Sequence, residues 1–240
     1  MSAATAGGSA PPGVGTVGTS SEGPTRVVLI RHGEANCNVE GVVGGHAGCT
    51  GLSATGRRQA EALRDRLVAT GELAAAGAQY ASVLTRAVET AGIAAAGIGD
   101  GTASVQDCDL CELHPGEADG LTWDEFRVRY GEPDFDVDPD GVVAPGGESW
   151  NSFVSRASNA VTRVARSHRG ELVVIVCHAG VIESTLLAFL PVAPGRRRLR
   201  LPTEHTSLTE WELAGDDWRL VRYNDAAHLR GLDTTPPTSP

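Results

Sequence analysis

The sequence predicts a single α/β domain, a three-layer α/β/α sandwich around a mostly parallel sheet. Three observations lead there. Residues 27–30 and 172–176 are continuous runs of valine, leucine and isoleucine, which suit strands buried on both faces. Stretches of helical period alternate with the strand-like ones, as crossover connections between parallel strands require. Both apolar runs lead into a histidine, His32 and His178. If the two strands are neighbours, these histidines converge at the carboxyl end of the sheet, where open α/β sheets bind ligands.

The elements follow in order. Strand 27–30 ends in Arg31, His32 and Gly33, where glycine lets the backbone turn sharply. On this stretch alone, a buried strand with polar ends and a catalytic strand are equally good readings. A glycine-rich loop covers 36–51. Thr55 offers an N-cap to a helix over 56–69, with Ala60, Leu63, Leu67 and Val68 at helical spacing and Gly71 beyond its end. Residues 80–84 read as a second strand, 86–96 as a second helix and 103–106 as an edge-like strand. A loop over 109–120 precedes a short helix over 123–130. The Pro, Gly and Asp-rich stretch 131–147 reads as an exposed acidic excursion. Residues 149–168 are amphipathic, with Phe153, Ala157, Ala160, Val161 and Val164 on one face. Strand 171–177 leads into a helix over 180–190 that Pro191 stops. Segments 207–213 and 218–223 alternate in polarity around Ala214-Gly215-Asp216-Asp217 and form a closing hairpin.

The ends stand apart in composition. Residues 1–24 are Gly, Ala, Ser, Thr and Pro-rich without the basic start and apolar core of a signal peptide, so they read as a disordered leader. Residues 233–240 form a flexible tail, leaving 25–232 as the catalytic domain. A net charge of -10 argues against nucleic acid or anionic membrane as partner. All 20 basic residues are arginine, which excludes any mechanism that needs lysine. No apolar run approaches the roughly 18 residues of a membrane helix. Five cysteines, Cys37, Cys49, Cys108, Cys111 and Cys177, fit free thiols in a reducing cytoplasm. Cys108 and Cys111 form a C-x-x-C pair, but no second such pair or paired histidine motif follows. They read as structural or incidental thiols, with no metal.

The chemistry lies in ordered motifs. Arg31-His32-Gly33-Glu34 closes the first strand. Leu52-Ser53-Ala54-Thr55-Gly56-Arg57-Arg58-Gln59-Ala60 opens the first long helix, and Ser82-Val83-Leu84-Thr85-Arg86-Ala87-Val88-Glu89-Thr90-Ala91 the next. Glu112-Leu113-His114-Pro115-Gly116-Glu117-Ala118-Asp119-Gly120, Pro145-Gly146-Gly147-Glu148-Ser149 and His178-Ala179-Gly180-Val181-Ile182 follow. Together these resemble the signature motifs of the histidine phosphatase superfamily, the phosphoglycerate mutase-like proteins, over nearly the whole domain. The resemblance implies the phosphoglycerate mutase-like fold, no cofactor, a nucleophile at His32 and a proton donor at Glu112. It also places a phosphate-contacting asparagine at Asn38.

Physical reasoning points the same way. Phosphoryl transfer spreads charge over three oxygens, so several fixed donors must surround one nucleophile. Arg31 and Arg86 can hold those oxygens with planar guanidinium forks. His178 adds a donor, and a second cation if protonated; Ala179 and Gly45 can offer backbone N–H groups, though Gly45 serves equally well as a plain loop glycine. Positive neighbours disfavour protonation of His32 and keep it nucleophilic. Glu117 and Asp119 are the runners-up to Glu112 as acid. His46, His114, His168 and His228 read as surface or structural residues, whereas His205, just before the hairpin, is placed to line the pocket.

Other features are weighed and set aside. Asp136, Asp138, Asp140 and Gly141 resemble the start of a calcium loop, but position twelve is Gly147, not glutamate. The basic run Arg196-Arg197-Arg198 with Arg200 reads as a solvated loop, with recruitment of an anionic substrate as the alternative. Cys177 stands where many members of the resembled family carry Gly or Ser, and a partly exposed thiol there would be redox-sensitive. Glu112-Leu113-His114-Pro115-Gly116 lacks the arginine of true cofactor-dependent mutases, and 131–147 has no basic residue. The expectation is therefore a metal-independent cytoplasmic phosphatase of small phosphorylated metabolites. A phosphoglycerate mutase or sugar bisphosphatase is the alternative, a non-catalytic phospho-ligand-binding protein the third reading, and a homodimer is left open.

Overall fold

The computed structural model describes residues 23–101, 103–190 and 201–232. The predicted leader up to residue 22, the basic run around Arg196 and the tail from 233 lie outside the described residues. Among the described residues, six strands form one sheet: β1 (Thr25–Arg31), β2 (Ala76–Ala81), β3 (Val105–Gln106), β4 (Leu172–Cys177), β5 (Leu208–Ala214) and β6 (Asp217–Asp225). Their order is β3-β2-β4-β1-β5-β6, parallel from β3 to β1, with the β5–β6 hairpin added antiparallel. β1 and β4 are neighbours with Arg31 opposite Cys177, so the two histidines that follow emerge side by side.

Alternation explains the layers. Val27 and Leu29 of β1, with Val173, Ile175 and Cys177 of β4, face one core. Val28 and Ile30, with Leu172, Val174 and Val176, face the other. Successive strand residues point to opposite faces, so a strand apolar throughout needs a helical layer on each side. The helices α2 (Ala54–Thr70) and α3 (Thr85–Ala94) supply Leu63, Leu67, Ala87 and Ala91 to the second core. Helices α5 (Trp150–Ser167) and α6 (Ala179–Phe189) supply Phe153, Val161 and Ile182 to the first. A short α1 (Asn36–Glu40) and α4 (Trp123–Tyr130) lie on loops near the site.

Several boundaries moved for identifiable reasons. The N-cap of α2 is Ser53, not Thr55: the Ser53 hydroxyl accepts the Gly56 N–H at 3.0 Å and donates to Glu34 at 2.6 Å. Strand β2 begins at Ala76, four residues before the apolar signal at Tyr80, because pairing with β4 overrides the weak strand propensity of Ala and Gly. Gly33 has no left-handed backbone; a Cβ there would lie 2.5 Å from the Gly56 carbonyl oxygen, so close approach and not turning demands glycine. The 131–147 excursion is not fully exposed: Val143 and Ala144 are buried with Val43, Ala118 and Phe126, and Phe135 packs on Trp150 at 5.1 Å. This small third cluster lies over the carboxyl end of the sheet. No helix among the described residues is long and apolar enough to cross a membrane.

Candidate active site

His32 is fixed from both sides. Its backbone N–H donates to the Cys177 carbonyl at 3.0 Å, extending the β1–β4 ladder by one bond. Its Nδ1 lies 2.6 Å from the Gly33 carbonyl. A carbonyl only accepts, so Nδ1 carries the proton and Nε2 keeps its lone pair. Arg86 agrees with that tautomer by donating its Nε–H to Nε2 at 3.1 Å. Burial, then Arg86, His178 and Arg31, holds the His32 imidazole well below its ordinary value. The neutral, nucleophilic form is thus the resting one.

Around Nε2 stand the donors. Arg86 starts α3 and is anchored by Nη1 to the Gly44 carbonyl at 2.7 Å. A Cβ on Gly44 would meet Cys37 Sγ at 2.5 Å and Arg86 Nη1 at 3.1 Å, so this glycine lets the arginine close on its loop. Arg31 donates Nη1 to the Thr203 carbonyl, while its Nε has no partner among the described residues. His178 is fully buried, its ring 5.0 Å from that of His32. Its Nε2 lies 2.8 Å from the Ser82 hydroxyl, and its Nδ1 has no partner among the described residues. The Ser82 hydroxyl also donates to Cys111 Sγ at 3.2 Å, so Nδ1 is the His178 ring nitrogen left to take a new partner. Burial, Arg86 and Arg31 keep His178 neutral, so the free site lacks the second cation the sequence allowed. His205 does reach the site, as expected: its ring lies 5.6 Å from His32 and its Nδ1 3.1 Å from the His32 carbonyl. Burial and Arg31 push it down to about 4.

The acidic residues separate cleanly. Glu112 lines the cleft that His32, Arg31 and Arg86 also line. Its carboxylate accepts N–H bonds from Leu113 at 3.1 Å and Gly180 at 3.1 Å. Asp119 is occupied elsewhere: it accepts the N–H groups of Gly45 (2.9 Å), Ala47 (2.7 Å) and Gly48 (2.9 Å). Its role is to fold the 44–48 loop, and the Gly45 N–H expected to meet substrate is spent on it. Glu117 is exposed and does not line the cleft. Asn38 and Ala179 both line it; the Asn38 side-chain oxygen accepts the Ala35 N–H at 3.0 Å, turning its amide into a held donor. Cys177 is wholly buried, and burial pushes its thiol up, so the anticipated redox-sensitive exposure is absent.

Three groups escaped the sequence reading. Ser82 bridges His178 and Cys111 Sγ, the latter at 3.2 Å. Arg156 of α5 donates to the carbonyls of Asp109 (2.8 Å), Cys111 (3.1 Å) and Glu112 (3.3 Å) and pairs with Glu148 at 2.7 Å. Glu148 in turn accepts the His114 N–H at 2.9 Å, so one ion pair holds the acid-bearing loop. The third group is apolar: Val42, Val43, Leu113, Trp123, Phe126 and Phe135 line most of a cleft of about 410 Å³. Its signal was dispersed over three loops and one short helix, with no period to read.

With a buried free-base histidine set between two arginines and a second histidine, the comparisons with known proteins fall into place. Residues 27–226 match the family described as the histidine phosphatase superfamily, branch 1. The chain belongs to that superfamily. It is 33% identical over 211 residues to phosphoglycerate mutase-like protein 4 of Arabidopsis thaliana, covering 85% of this chain and 86% of the relative. It is 30% identical over 213 residues to a metal-independent phosphoserine phosphatase of the same plant, covering 87% and 84%. Among solved structures, Bacillus stearothermophilus YhfR superposes with a TM-score of 0.71 at 32% identity, covering 85% of this chain and 98% of that one. The phosphoglycerate mutase-like fold and an enzyme of the phosphatase type follow from these matches.

Proposed function

We propose that this histidine phosphatase hydrolyses phosphomonoesters in two steps through a phosphohistidine on His32. The observation that carries the reading is the Nε2 lone pair of His32, held unprotonated by burial and by Arg86, His178 and Arg31. In the first step Nε2 attacks phosphorus in line, and the bond from phosphorus to the ester oxygen breaks. Arg31, Arg86, the Asn38 amide and His178 Nδ1 hold the three equatorial oxygens. Glu112, on the same cleft, gives its proton to the leaving alkoxide. In the second step water attacks the phosphohistidine, and the Glu112 carboxylate takes the water's proton. Inorganic phosphate departs and His32 returns to its free base. Charge neutralisation in both steps falls to the two guanidinium groups, so the reaction is metal-independent.

The cleft also supports hydrolysis over mutase chemistry. Arg31 and Arg86 are its only cationic side chains among the described residues, and both are committed to one phosphoryl group. A second phosphate or a carboxylate would be desolvated there without a partner, which is costly. The substrate is therefore a small phosphorylated metabolite whose alcohol is apolar or aromatic where it meets Val43, Phe126 and Phe135. A panel of aryl, alkyl, sugar and amino-acid phosphomonoesters, ranked by kcat/KM, tests this. Aryl and alkyl esters should lead. Preference for bisphosphates, or isomerisation of a phosphoglycerate faster than phosphate release, would overturn it.

A further inference from the structure

The C-x-x-C pair gains partners that its sequence context hides. His46, on the 44–48 loop, and His114, three residues after Cys111, both turn toward Cys108. His46 Nε2 lies 3.9 Å and His114 Nε2 3.8 Å from Cys108 Sγ. Cys111 Sγ lies 3.6 Å from the same atom. One donor atom of each of the four residues lies within 4.8 Å of every other. A tetrahedral zinc with bonds of about 2.3 Å to sulfur and about 2.0–2.1 Å to nitrogen sets its ligand atoms about 3.4–3.8 Å apart. The three distances to Cys108 Sγ come within about 0.4 Å of that spacing.

From this arrangement we propose a structural zinc site formed by His46, Cys108, Cys111 and His114. Two thiolates and two neutral imidazoles neutralise Zn²⁺, and the donor set is that of a closed, four-protein-ligand site. A carboxylate stands near the back of one proposed ligand: Glu148 Oε2 lies 3.7 Å from His114 Nδ1, the nitrogen opposite the proposed ligand atom, and accepts the His114 backbone N–H at 2.9 Å. Arg156 donates to the Cys111 carbonyl at 3.1 Å and places positive charge beside the thiolates. Binding releases the two thiol protons to solvent and changes no oxidation state.

The site is not the catalytic centre. His46 and His114 line a neighbouring recess that shares Gly45, Glu112, Leu113 and Pro115 with the cleft, but His32, Arg31 and Arg86 are not part of its wall. What the ion would do is join two loops distant in sequence. One carries Gly44, whose carbonyl holds Arg86, and the other carries Glu112 between Cys111 and His114. Zinc would therefore fix the spacing between the phosphate-holding side and the proton donor without touching the phosphoryl group. Phosphatase chemistry itself need not involve the ion, and the site stands whichever ester is the substrate.

The test is metal content, read independently of activity. Full-length chain purified under reducing conditions without chelator should carry about one zinc per chain by elemental analysis. Cobalt substituted for zinc should give the intense visible bands of a tetrahedral ion and a thiolate-to-metal charge-transfer band. His46→Ala, a change at an exposed side chain, and Cys108→Ser should each lose the metal while circular dichroism keeps the native fold. Their melting temperatures should fall by several degrees and should not respond to added zinc, unlike that of the parent chain. The proposal is overturned if reduced chain fails to retain equimolar zinc, or if cobalt gives weak octahedral bands. Metal retained equally by both variants overturns it too, as does a Cys108–Cys111 disulfide trapped in freshly lysed cells.

Discussion

Replacing Glu112 gives the sharpest test of the proposed mechanism, because the structure distinguishes loss of a proton donor from loss of a loop. The Glu112 carboxylate accepts two N–H bonds, from Leu113 and Gly180. A glutamine keeps one acceptor oxygen and turns its amide NH2 toward the other N–H, leaving that donor without a partner at about 1–3 kcal/mol. Glu112→Gln is thus not a silent isostere, and part of any rate loss will be misplacement of the loop. Asp119→Asn is the matching control, since Asp119 accepts three loop N–H groups and lines only the neighbouring recess. Misplacement of the 44–48 loop, which carries the Gly44 anchor of Arg86, should lower the rate on all esters alike. Loss of a general acid removes about 10²–10⁴ in rate when the leaving group is a poor alkoxide. It should remove about tenfold or less for p-nitrophenyl phosphate, whose phenolate leaves without a proton. The assay is the single-turnover rate of phosphoenzyme formation, which excludes the second step common to all esters, across phosphomonoesters of graded leaving-group acidity for parent, Glu112→Gln, Glu112→Ala and Asp119→Asn. A steep dependence should appear in both Glu112 variants and not in Asp119→Asn. Equal losses on alkyl and nitrophenyl esters in the Glu112 variants would remove that residue from the acid role.

Other expectations follow from the same geometry. His32→Ala should abolish turnover and acid-labile phosphoenzyme together; labelling that survives would relocate the nucleophile. Because His32 is held well below its ordinary value, kcat/KM corrected for substrate ionisation should stay level as pH falls through about 6.5. A tenfold drop per pH unit there would mean that an ordinary histidine is titrating. Stability should behave oppositely. His32, His178, and His205 and His228, the last two at about 4, bind protons less readily folded than unfolded. Unfolding free energy should then fall as pH drops from about 6.5 toward 4 and be level from about 6.5 to about 8, below the range where buried thiols ionise; denaturant titrations flat between about 6.5 and 4 would contradict the burial argument. Phe135→Ala should raise KM for aryl phosphates severalfold while leaving the smallest alkyl ester unchanged, and a uniform effect would place Phe135 outside the substrate's reach.

The sheet and the convergence of His32, His178, Arg31 and Arg86 were legible because each rests on a local pattern. Two apolar runs ending in histidine specify two central strands, and their parallel pairing then forces His32 and His178 together. Arg86 was legible through the Ser82–Ala91 motif that resembles the family's. What was hidden lies where contact is made between segments distant in sequence. Asp119 looked like a spare acid because a carboxylate's hydrogen bonds to a loop some 70 residues away leave no trace in spacing. Arg156 looked like an ordinary polar residue of an amphipathic helix, since helical period reports burial and not which carbonyls a guanidinium reaches. The C-x-x-C pair looked unsupported because one proposed partner, His46, precedes it by 62 residues.

These hidden contacts also explain why the motifs occur as sets. Gly33 and Gly56 belong to different motifs, yet a Cβ on either would collide with the other's neighbourhood: Gly33 with the Gly56 carbonyl at 2.5 Å, Gly56 with the Glu34 carbonyl at 1.9 Å. Glu34 in turn takes the Ser53 hydroxyl, and its N–H donates to the Gln59 side chain at 2.8 Å. The first and second motifs are therefore two halves of one packed joint that sets the position of His32. Likewise Glu148, of the fifth motif, grips Arg156 and the His114 N–H, and through them the loop of Glu112 in the fourth. The proposed nucleophile and acid are thus mounted on two joints that face each other across the cleft. A substitution in one joint should displace its own reacting group and leave the other in register. Gly33→Ala, which forces small-to-large strain of about 1–3 kcal/mol, provides the test. It should depress phosphoenzyme formation on nitrophenyl and alkyl esters equally, whereas Arg156→Ala should depress chiefly the alkyl reaction. If Arg156→Ala instead lowered both reactions alike, the two joints would be mechanically one, and the separation argued from these contacts would fail.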